Sequence, residues 1–411
     1  MVPNGWEKRN LQEYISIKHG FAFKSEYFTD SGSLVLLTPG SFYEDGGFRD
    51  QKSKTKYYFG DVPDGYLLTK GDMLLAMTEQ AEGLLGSALF VPENDKYLHN
   101  QRLGLVQILN SSKVCLEFLY LFFNNPSSRK QITEQSTGTK VKHTSPDRLC
   151  SVVGLIPPID EQKKIAQILS AWDQAIATTE RLLDLARQQK KALMQQLLTG
   201  KKRFPGLEGE WKLTSIAQMG RVVSGGTPDT DNEDYWNGEI NWLTPTDVTA
   251  LTGKYVKETS RKITAAGVKD SAAKLLPPGT LLICTRATIG AMAISTTEIT
   301  TNQGFKNLIP NDKHCVEFLY FLFAFFIHQF IRKASGSTFL ELSKHDFEKM
   351  EFLLPELVEQ QKIASVLMDT DQEIESLQSQ LDGLKQEKKA LMQALLTGKR
   401  RVKVDAQANK G

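Results

Sequence analysis

One group of acidic and basic residues in the sequence could do chemistry on its own. Asp147 follows a proline and lies upstream of Glu161 and Lys163, which imitates the PD…ExK pattern of Mg²⁺-dependent nucleases. That chemistry needs the three side chains on adjacent strands, whereas Glu161 follows two prolines and opens a predicted helix. The segment recurs later in the chain without the aspartate and without the lysine. We therefore interpret Glu161 and its counterpart Glu359 as first-turn acids that favour a helix N-terminus.

Other catalytic signatures are missing from the sequence. It contains no GxxxxGK[ST] phosphate loop, no HExxH, no GxGxxG and no Asn/Asp-Pro-Pro-Tyr/Phe tetrapeptide of amino-methyltransferases. The six histidines are scattered, and the four cysteines (Cys115, Cys150, Cys284 and Cys315) form no CxxC pair. We expect no metal site, no bound cofactor and no enzymatic activity in this chain, and the cysteine usage is typical of a reducing cytoplasm.

Length and composition indicate a soluble, cytoplasmic protein of several domains. The chain has 411 residues, of which 40% are hydrophobic and 24% charged, and its net charge is +2. Any nucleic-acid surface must therefore be a local patch. The longest apolar run, residues 318–327, is too short to span a membrane, and the N-terminus has no signal-peptide core.

The chain consists of two copies of one unit. Glu-Gln-Lys-Lys-Ile-Ala at 161–166 returns as Glu-Gln-Gln-Lys-Ile-Ala at 359–364, and Leu-Leu-Thr-Gly-Lys at 197–201 returns at 395–399, both at an offset of 198. Upstream the offset drifts: Asn100-Gln101 matches Asn302-Gln303 at 202, and Leu37-Thr38-Pro39 matches Leu243-Thr244-Pro245 at 206. Each copy therefore has a variable front and a nearly identical back.

The two backs are predicted to be long coiled-coil helices. Apolar residues repeat in a 4-3 spacing over about five heptads, which is typical of a seam between helices. The predicted seam comprises Ile165, Leu169, Trp172, Ile176, Leu183, Leu193 and Leu197 in the first copy and Ile363, Leu367, Ile374, Leu377, Leu381, Leu384, Leu391 and Leu395 in the second. Prolines precede both helices, and Gly200 and Gly398 are placed to end them. A helix of about 38 residues is about 57 Å long.

Two lysines fall on the apolar seam, Lys190 and Lys388. Each could lie at the edge of the seam with its ammonium in water, or it could select a register or partner. Since such a stripe needs a partner, we expect the two helices to pair antiparallel, as a rod with one globular unit at each end.

The fronts are predicted to be α+β domains. Short β-like runs occur at 34–38, 103–108, 280–284 and 291–294, and each front ends in an apolar helix, at 116–123 and 316–330. The predicted segments are a first globular domain at 1–155, a central helix at 156–205, a second globular domain at 206–352, a C-terminal helix at 353–400 and a basic tail at 401–411 that is expected to be disordered.

Basic and aromatic residues alternate at comparable places in both fronts. Such patches can neutralise phosphates, and side chains such as Arg, Asn, Gln, Ser and Thr on loops can read base edges. The DNA-binding candidates are Lys24, Ser25, Thr38, Arg49, Lys52, Lys54, Lys56, Tyr57, Thr78 and Arg102 in the first front and Ser224, Thr227, Thr246, Asp247, Lys254, Arg261, Lys262, Arg286 and Thr288 in the second. The patches could equally be solvated loops. The clusters 201–203 and 399–401 are interpreted as helix C-terminal cations.

The order of these features resembles a known family. A variable domain, Pro-Pro-x-x-Glu-Gln-x-Lys-Ile-Ala from 157, a heptad helix and Leu-Leu-Thr-Gly-Lys from 197 occur, and the series then repeats with a single proline at 355. This resembles the DNA-specificity (S) subunit of type I restriction–modification enzymes over nearly the whole chain. The resemblance implies two target recognition domains, each reading one half of a bipartite, asymmetric site in double-stranded DNA, and a non-catalytic chain.

The same resemblance implies partners that do the chemistry. The paired helices would set the gap between half-sites and dock two methyltransferase (M) subunits, which bind S-adenosylmethionine and methylate adenine N6 after base flipping. Restriction (R) subunits would add ATP- and Mg²⁺-dependent translocation and cleavage, which serves defence against phage. On this hypothesis four residues inserted near Ala186 should lengthen the gap. The alternatives are a metal-dependent nuclease and a coiled-coil scaffold without DNA contact.

Overall fold

The computed structural model describes residues 2–79, 83–286, 288–334 and 341–404. The chain divides into two compact units, and each contains parts of both long helices. Unit 1 comprises residues 1–178 and 381–411, and unit 2 comprises residues 179–380. Most of the tail that was predicted to be disordered, 405–411, lies outside the described residues.

Unit 1 is a mixed unit of short strands and helices. Its strands are β1 (Glu7–Arg9), β2 (Ile15–His19), β3 (Phe28–Thr29), β4 (Leu34–Leu36), β5 (Tyr57–Tyr58), β6 (Met73–Ala76), β7 (Thr78–Glu79), β8 (Ala88–Phe90), β9 (Tyr97–Leu98), β10 (Leu103–Ile108), β11 (Lys142–His143) and β12 (Gly154–Ile156). Its short helices are α1 (Leu116–Phe123), α2 (Pro126–Glu134) and α3 (Pro146–Cys150), and the long helix α4 (Ile159–Leu197) begins in it.

Unit 2 is likewise a mixed unit of short strands and helices. Its strands are β13 (Lys212–Ser215), β14 (Gly220–Ser224), β15 (Trp236–Leu243), β16 (Tyr255–Val256), β17 (Arg261–Ile263), β18 (Leu281–Cys284), β19 (Met292–Ser295), β20 (Thr300–Thr301), β21 (Phe305–Pro310) and β22 (Glu351–Leu354). Its helices are α5 (Ile216–Met219), α6 (Pro245–Ala250), α7 (Ala265–Lys269), α8 (Val316–Phe325), α9 (Ile327–Lys333) and α10 (Lys344–Glu348), and the long helix α11 (Leu357–Leu396) begins in it.

The two units repeat one sheet topology. The main sheet has the order β2-β10-β6-β8 in unit 1 and β14-β21-β18-β19, followed by β16, in unit 2. In the central strands β6 and β18 all four residues are buried, which explains their unbroken apolar sequences. The second sheet is built around β4 in unit 1 and β15 in unit 2, each paired antiparallel to one neighbour and parallel to another. The internal repeat is therefore a repeat of the fold.

One predicted helix is split in the structure. The apolar run 316–330 forms two helices, α8 and α9, that are separated at Phe326, so the prediction of one continuous helix there was wrong. Its counterpart α1 has the bounds that were predicted. The run is apolar at nearly every position. Its hydrophobicity therefore predicted that the segment is buried but could not predict where the helix is interrupted.

The two long helices have 39 and 40 residues. Each begins after its proline and ends before a glycine with positive φ, Gly200 at +69° and Gly398 at +67°. These glycines adopt the left-handed conformation that other residues adopt only at a cost, which accounts for their place after a helix C-terminus. Helix α4 begins in unit 1 and ends in unit 2, whereas α11 begins in unit 2 and ends in unit 1.

Within each unit the two helical segments run antiparallel. In unit 1 the Lys388 ammonium lies 2.5 Å from the Asp173 carboxylate, and in unit 2 the Lys190 ammonium lies 2.5 Å from Asp371. A second ion pair in each unit shows the direction, Arg401–Glu161 in unit 1 and Arg203–Glu359 in unit 2, because the residue numbers rise in one segment as they fall in the other. Every residue of the predicted seam is buried or half-buried.

The helix ends are part of the globular cores. Ile165 and Leu169 of α4 and Leu395 of α11 lie in the same buried cluster as the α1 phenylalanines of unit 1. Leu197 and Ile363 lie in the corresponding cluster of unit 2. The compact units therefore cut across the predicted boundaries at 155 and 352, because the apolar stripe of each helix end packs into a domain core.

Candidate nucleic-acid interface

A buried glutamine fixes the start of each long helix to its domain. The Gln162 side chain accepts a hydrogen bond from the Cys115 backbone N–H (3.2 Å) and donates to the Lys113 and Pro157 carbonyls (2.7 and 2.8 Å). Gln360 makes the same three contacts, with Cys315, Lys313 and Pro355. Both side chains are almost fully buried. The glutamine of the recurring Glu-Gln dipeptide therefore has a structural role, because its side chain supplies buried backbone groups with hydrogen-bond partners.

The adjacent glutamates are also occupied. The Glu161 carboxylate accepts from the Trp6 indole (3.2 Å) and from Arg401, whose Nε lies 2.9 Å away. Glu359 accepts two hydrogen bonds from Arg203, at 3.0 and 2.7 Å. The interpretation of these glutamates as first-turn acids was incomplete, since each is one half of a two-point ion pair. The basic clusters that follow the helices likewise supply Arg203 and Arg401 to these pairs.

This geometry opposes the nuclease alternative. Glu161 faces an arginine and an indole, and Asp147 lies in the first turn of the short helix α3. Within the described residues no group of three or more His, Cys, Asp or Glu side chains could hold a metal ion. Burial raises the pKa of Cys150 to about 11 and that of Cys284 to about 12, so these thiols stay protonated near neutral pH.

The basic patch of unit 1 surrounds its second sheet. Lys52 and Lys54 occupy an exposed turn, and Tyr57 lies in β5. Lys56 is exposed, and its ammonium lies 5.6 Å from the centre of the Phe28 ring. A cavity of about 230 Å³ beside this sheet is lined by both Tyr57 and Arg49. Tyr57 and Arg49 therefore lie together, whereas the three lysines are exposed on the segment that leads into β5.

Other candidates of unit 1 are held by local contacts. The Arg49 Nε donates to the Gly40 carbonyl at 2.9 Å, and the Thr38 hydroxyl accepts from Gln51 at 3.1 Å. Lys24 forms an exposed ion pair with Glu26, and Ser25 begins a 3-10 turn. Thr78 lies in β7, and Arg102 is exposed before β10; neither lines the cavity.

In unit 2 two candidates line a larger cavity beside the second sheet. The cavity measures about 670 Å³, and Arg261 and Lys262 of β17 line it together with Trp236 and Thr259. The guanidinium carbon of Arg261 lies 3.9 Å from the centre of the Trp236 ring. Sequence reasoning missed the tryptophan, although two tryptophans at 236 and 242 beside a basic run were a usable signal.

Two candidates of unit 2 are occupied within the protein. Lys254 is 11% exposed at its side chain, and its ammonium lies 3.0 Å from Asp371. Asp247 accepts hydrogen bonds from the Thr244 backbone and hydroxyl (2.8 and 2.6 Å) and from the Ser260 N–H (3.0 Å). Burial acts to raise the pKa of Asp247, but these hydrogen bonds outweigh it and the pKa is lowered. Both side chains are therefore occupied by contacts within unit 2, and their role in DNA contact stays a prediction.

The remaining candidates of unit 2 do not line the cavity. Ser224 ends β14, Thr246 is exposed on α6, and Thr288 is exposed near β18. The Thr227 hydroxyl donates to the Gln303 side chain, so one residue of the recurring Asn-Gln dipeptide contacts a candidate. Arg286 forms an ion pair with Glu341 at 4.0 Å. Their role in DNA contact stays a prediction.

The comparison with protein families decides the identity. The family described as "Type I restriction modification DNA specificity domain" matches residues 3–187 and 208–386, which is most of the chain and falls once on each copy of the repeat. The chain belongs to this family. As a type I restriction–modification specificity subunit, it carries two target recognition domains, one in each matched stretch.

Similar proteins agree with this assignment. The type I restriction enzyme MjaIX specificity subunit of Methanocaldococcus jannaschii is 39% identical over 173 residues, which cover 42% of this chain and 40% of that one. The putative MjaX specificity subunit of the same organism is 25% identical and covers 98% of this chain and 95% of its own. Among solved structures, the S subunit from M. genitalium has the same fold, with a TM-score of 0.60 at 16% identity over 96% of this chain and 98% of that one.

The described parts of this specificity subunit include no helix long and apolar enough to cross a membrane.

Proposed function

We propose that unit 1 and unit 2 each read one half of a bipartite, asymmetric site in double-stranded DNA. The observation that carries this proposal is the repeat of one scaffold with two different faces. The strand order and the buried glutamine are the same in both units, whereas the second sheet presents Lys56 and Tyr57 in one and Arg261 among tryptophans in the other. Two unlike faces on one scaffold suit a target with two unlike halves.

The paired helices are proposed to act as a coiled-coil spacer that fixes the gap between the half-sites. The ion pairs Lys388–Asp173 and Lys190–Asp371 favour one register of the two helices over alternatives shifted by a heptad. Half-sites on one face of B-DNA lie about 34–36 Å apart or a multiple of it, so a fixed register would give a fixed gap. The outer faces of the helices would dock two M subunits.

The chain is proposed to choose the site and to leave the chemistry to its partners. S-adenosylmethionine would bind to the M subunits, and ATP and Mg²⁺ to R subunits, if an active R subunit accompanies them. In support, the one pattern that imitates a nuclease has its glutamate occupied by Arg401 and Trp6.

Single-molecule methylation sequencing of cellular DNA tests the proposal. Cells that express this chain with its M subunit are compared with cells that express the M subunit alone. We expect a new N6-methyladenine motif with two unlike half-sites and a fixed gap. A stable complex with the M subunit that yields no new motif would contradict the proposal and favour a scaffold without DNA contact.

A further inference from the structure

Arg261 is an exposed cation in the wall of the larger cavity of unit 2. Its side chain is exposed, and it makes no ion pair or side-chain hydrogen bond with any residue that the structure describes. The guanidinium carbon lies 3.9 Å from the Trp236 ring centre and 5.0 Å from that of Trp242. Contact with an aromatic face leaves the N–H donors at the edge of a guanidinium available.

The aromatic platform beneath Arg261 is fixed in place. The Trp236 indole donates to the Asp229 carbonyl and the Trp242 indole to the Gly226 carbonyl, both at 2.9 Å. The two rings meet edge to face with centres 5.0 Å apart, and both residues are less than one tenth exposed. Arg261 is also the direct strand partner of Trp242. These contacts restrict the plane of the guanidinium before any ligand arrives.

The same position in unit 1 also carries a cation above an aromatic ring. Leu36 corresponds to Trp242 at the offset of 206, and the Leu36 N–H donates to the Lys56 carbonyl at 2.9 Å. Lys56 is thus the counterpart of Arg261, and its ammonium lies above Phe28. The repeat has kept a cation on an aromatic ring at this place and changed its type. A lysine offers a point charge, whereas an arginine offers a planar fork of donors.

We propose that Arg261 reads the major-groove edge of one guanine in the half-site of unit 2. This inference rests on the proposed function. Guanine presents O6 and N7 as two neighbouring acceptors, and a guanidinium edge matches them with two parallel hydrogen bonds. The cavity of about 670 Å³ beside Arg261 gives room for a base edge, and Lys262 in its wall can contact an adjacent phosphate.

The test compares two variants in the complex of the full chain with its M subunit. Arg261→Lys keeps the charge and removes the fork, and Lys262→Gln is a second variant that removes only the proposed phosphate contact. We expect Arg261→Lys to relax one G·C position in one half-site of the methylation motif and to leave the other half-site unchanged. Lys262→Gln should keep the motif and lower the salt dependence of DNA binding by about one counterion.

A chemical probe keeps the test decisive if Arg261→Lys loses methylation altogether. In that case 7-deazaguanine, which lacks the N7 acceptor, replaces each guanine of the target in turn. At one position we expect about 10-fold weaker binding by the unsubstituted complex, equivalent to about 1.4 kcal/mol, and little effect on the Arg261→Lys complex. An unchanged motif with Arg261→Lys, or binding that is insensitive to 7-deazaguanine everywhere, would overturn the inference. Absence of any motif with the unsubstituted chain would instead reject the proposed function.

Discussion

Gln162 and Gln360 each tie three backbone groups of a domain to the first turn of a long helix. The recurrence of the Glu-Gln dipeptide was visible in the sequence, but its partners were not. Two of the three residues that Gln162 contacts, Lys113 and Cys115, lie almost 50 positions away. A periodic pattern reports which face of a helix is apolar, whereas a polar contact over this distance depends on the complete fold.

Removal of the Gln162 side chain should destabilise unit 1 strongly. Gln162→Ala leaves one buried N–H and two carbonyls without partners, and we expect a loss of about 3 kcal/mol in the free energy of unfolding. Gln360→Ala should cost a similar amount, and the two effects should add because the sites share no partner. Urea unfolding followed by circular dichroism measures the change. The exposed neighbours Gln167 and Gln361 provide control substitutions to alanine; equal losses in the controls would contradict the assignment.

His99 gives the fold a dependence on pH. Its imidazole is fully buried, its Nε2 lies 3.0 Å from the Leu103 carbonyl, and its Nδ1 has no partner among the described residues. Burial lowers the pKa of His99 from 6.5 to about 4. Between these values the unfolded chain binds a proton that the folded chain does not, so stability falls as the pH falls through this window.

The expected size of this effect is about 2 kcal/mol between pH 7 and pH 5. The difference in unfolding free energy between the unsubstituted chain and His99→Gln should shrink by that amount over the interval, because the variant has no imidazole to protonate. Chemical denaturation at each pH gives the two values. His328→Gln, at an exposed histidine, is the control. A difference that does not depend on pH would show that burial of His99 does not act in this way.

At the scale of elements, the two long helices show how much a heptad pattern can predict. It predicted their bounds to within a few residues and placed every seam residue on a covered face. The pattern did not predict the roles of Lys190 and Lys388. Their partners, Asp371 and Asp173, are not among the apolar seam residues and so were not part of the pattern. Of the two interpretations, the ion pairs favour the selection of register.

The two ion pairs should differ in strength. Asp371 is 16% exposed and faces both Lys190 and Lys254, whereas Asp173 is 50% exposed and faces Lys388. Double-mutant cycles to alanine should give a coupling of about 1 kcal/mol for Lys190–Asp371 and about 0.5 kcal/mol or less for Lys388–Asp173, since exposed pairs are weakened by solvent. Lys191, exposed beside Lys190, supplies the uncoupled control. A larger coupling at Asp173 would contradict the ranking.

At the scale of the whole molecule, the sequence predicted more of the fold than of the site. The repeat, the α+β content and the buried strands follow from periodic apolar patterns. The site depends on which polar groups find partners within the fold. Lys254 and Asp247 were DNA-binding candidates like Arg261, yet both are occupied internally. Only the folded contacts separate a cation available to a ligand from one committed to the scaffold.

The spacer proposal predicts the outcome of lengthening both helices together. Seven residues inserted after Thr178 in α4 and seven after Gln380 in α11 keep the heptad phase and preserve every ion pair within each unit. The insertions add about 10 Å of helix. We expect both half-sites to persist in the methylation motif and the gap between them to grow by about three base pairs.

A four-residue insertion near Ala186 in α4 alone is the informative contrast. It moves Lys190 by about 6 Å along its helix and away from Asp371, so reduced stability should accompany any change in the gap. Methylation sequencing and thermal unfolding read the two effects. An unchanged gap after the matched insertions would contradict the spacer role.

Unit 1 contains the C-terminal part of α11, and this has a consequence for folding during synthesis. The apolar stripe of unit 1 at Ile165 and Leu169 is covered in part by Leu395 and Leu396, more than 220 residues later in the sequence. At about 5–20 residues per second, a ribosome needs about 11–45 s to reach them. During that interval the newly made unit exposes hydrophobic surface, and a translating cell must protect it from aggregation until the last helix emerges.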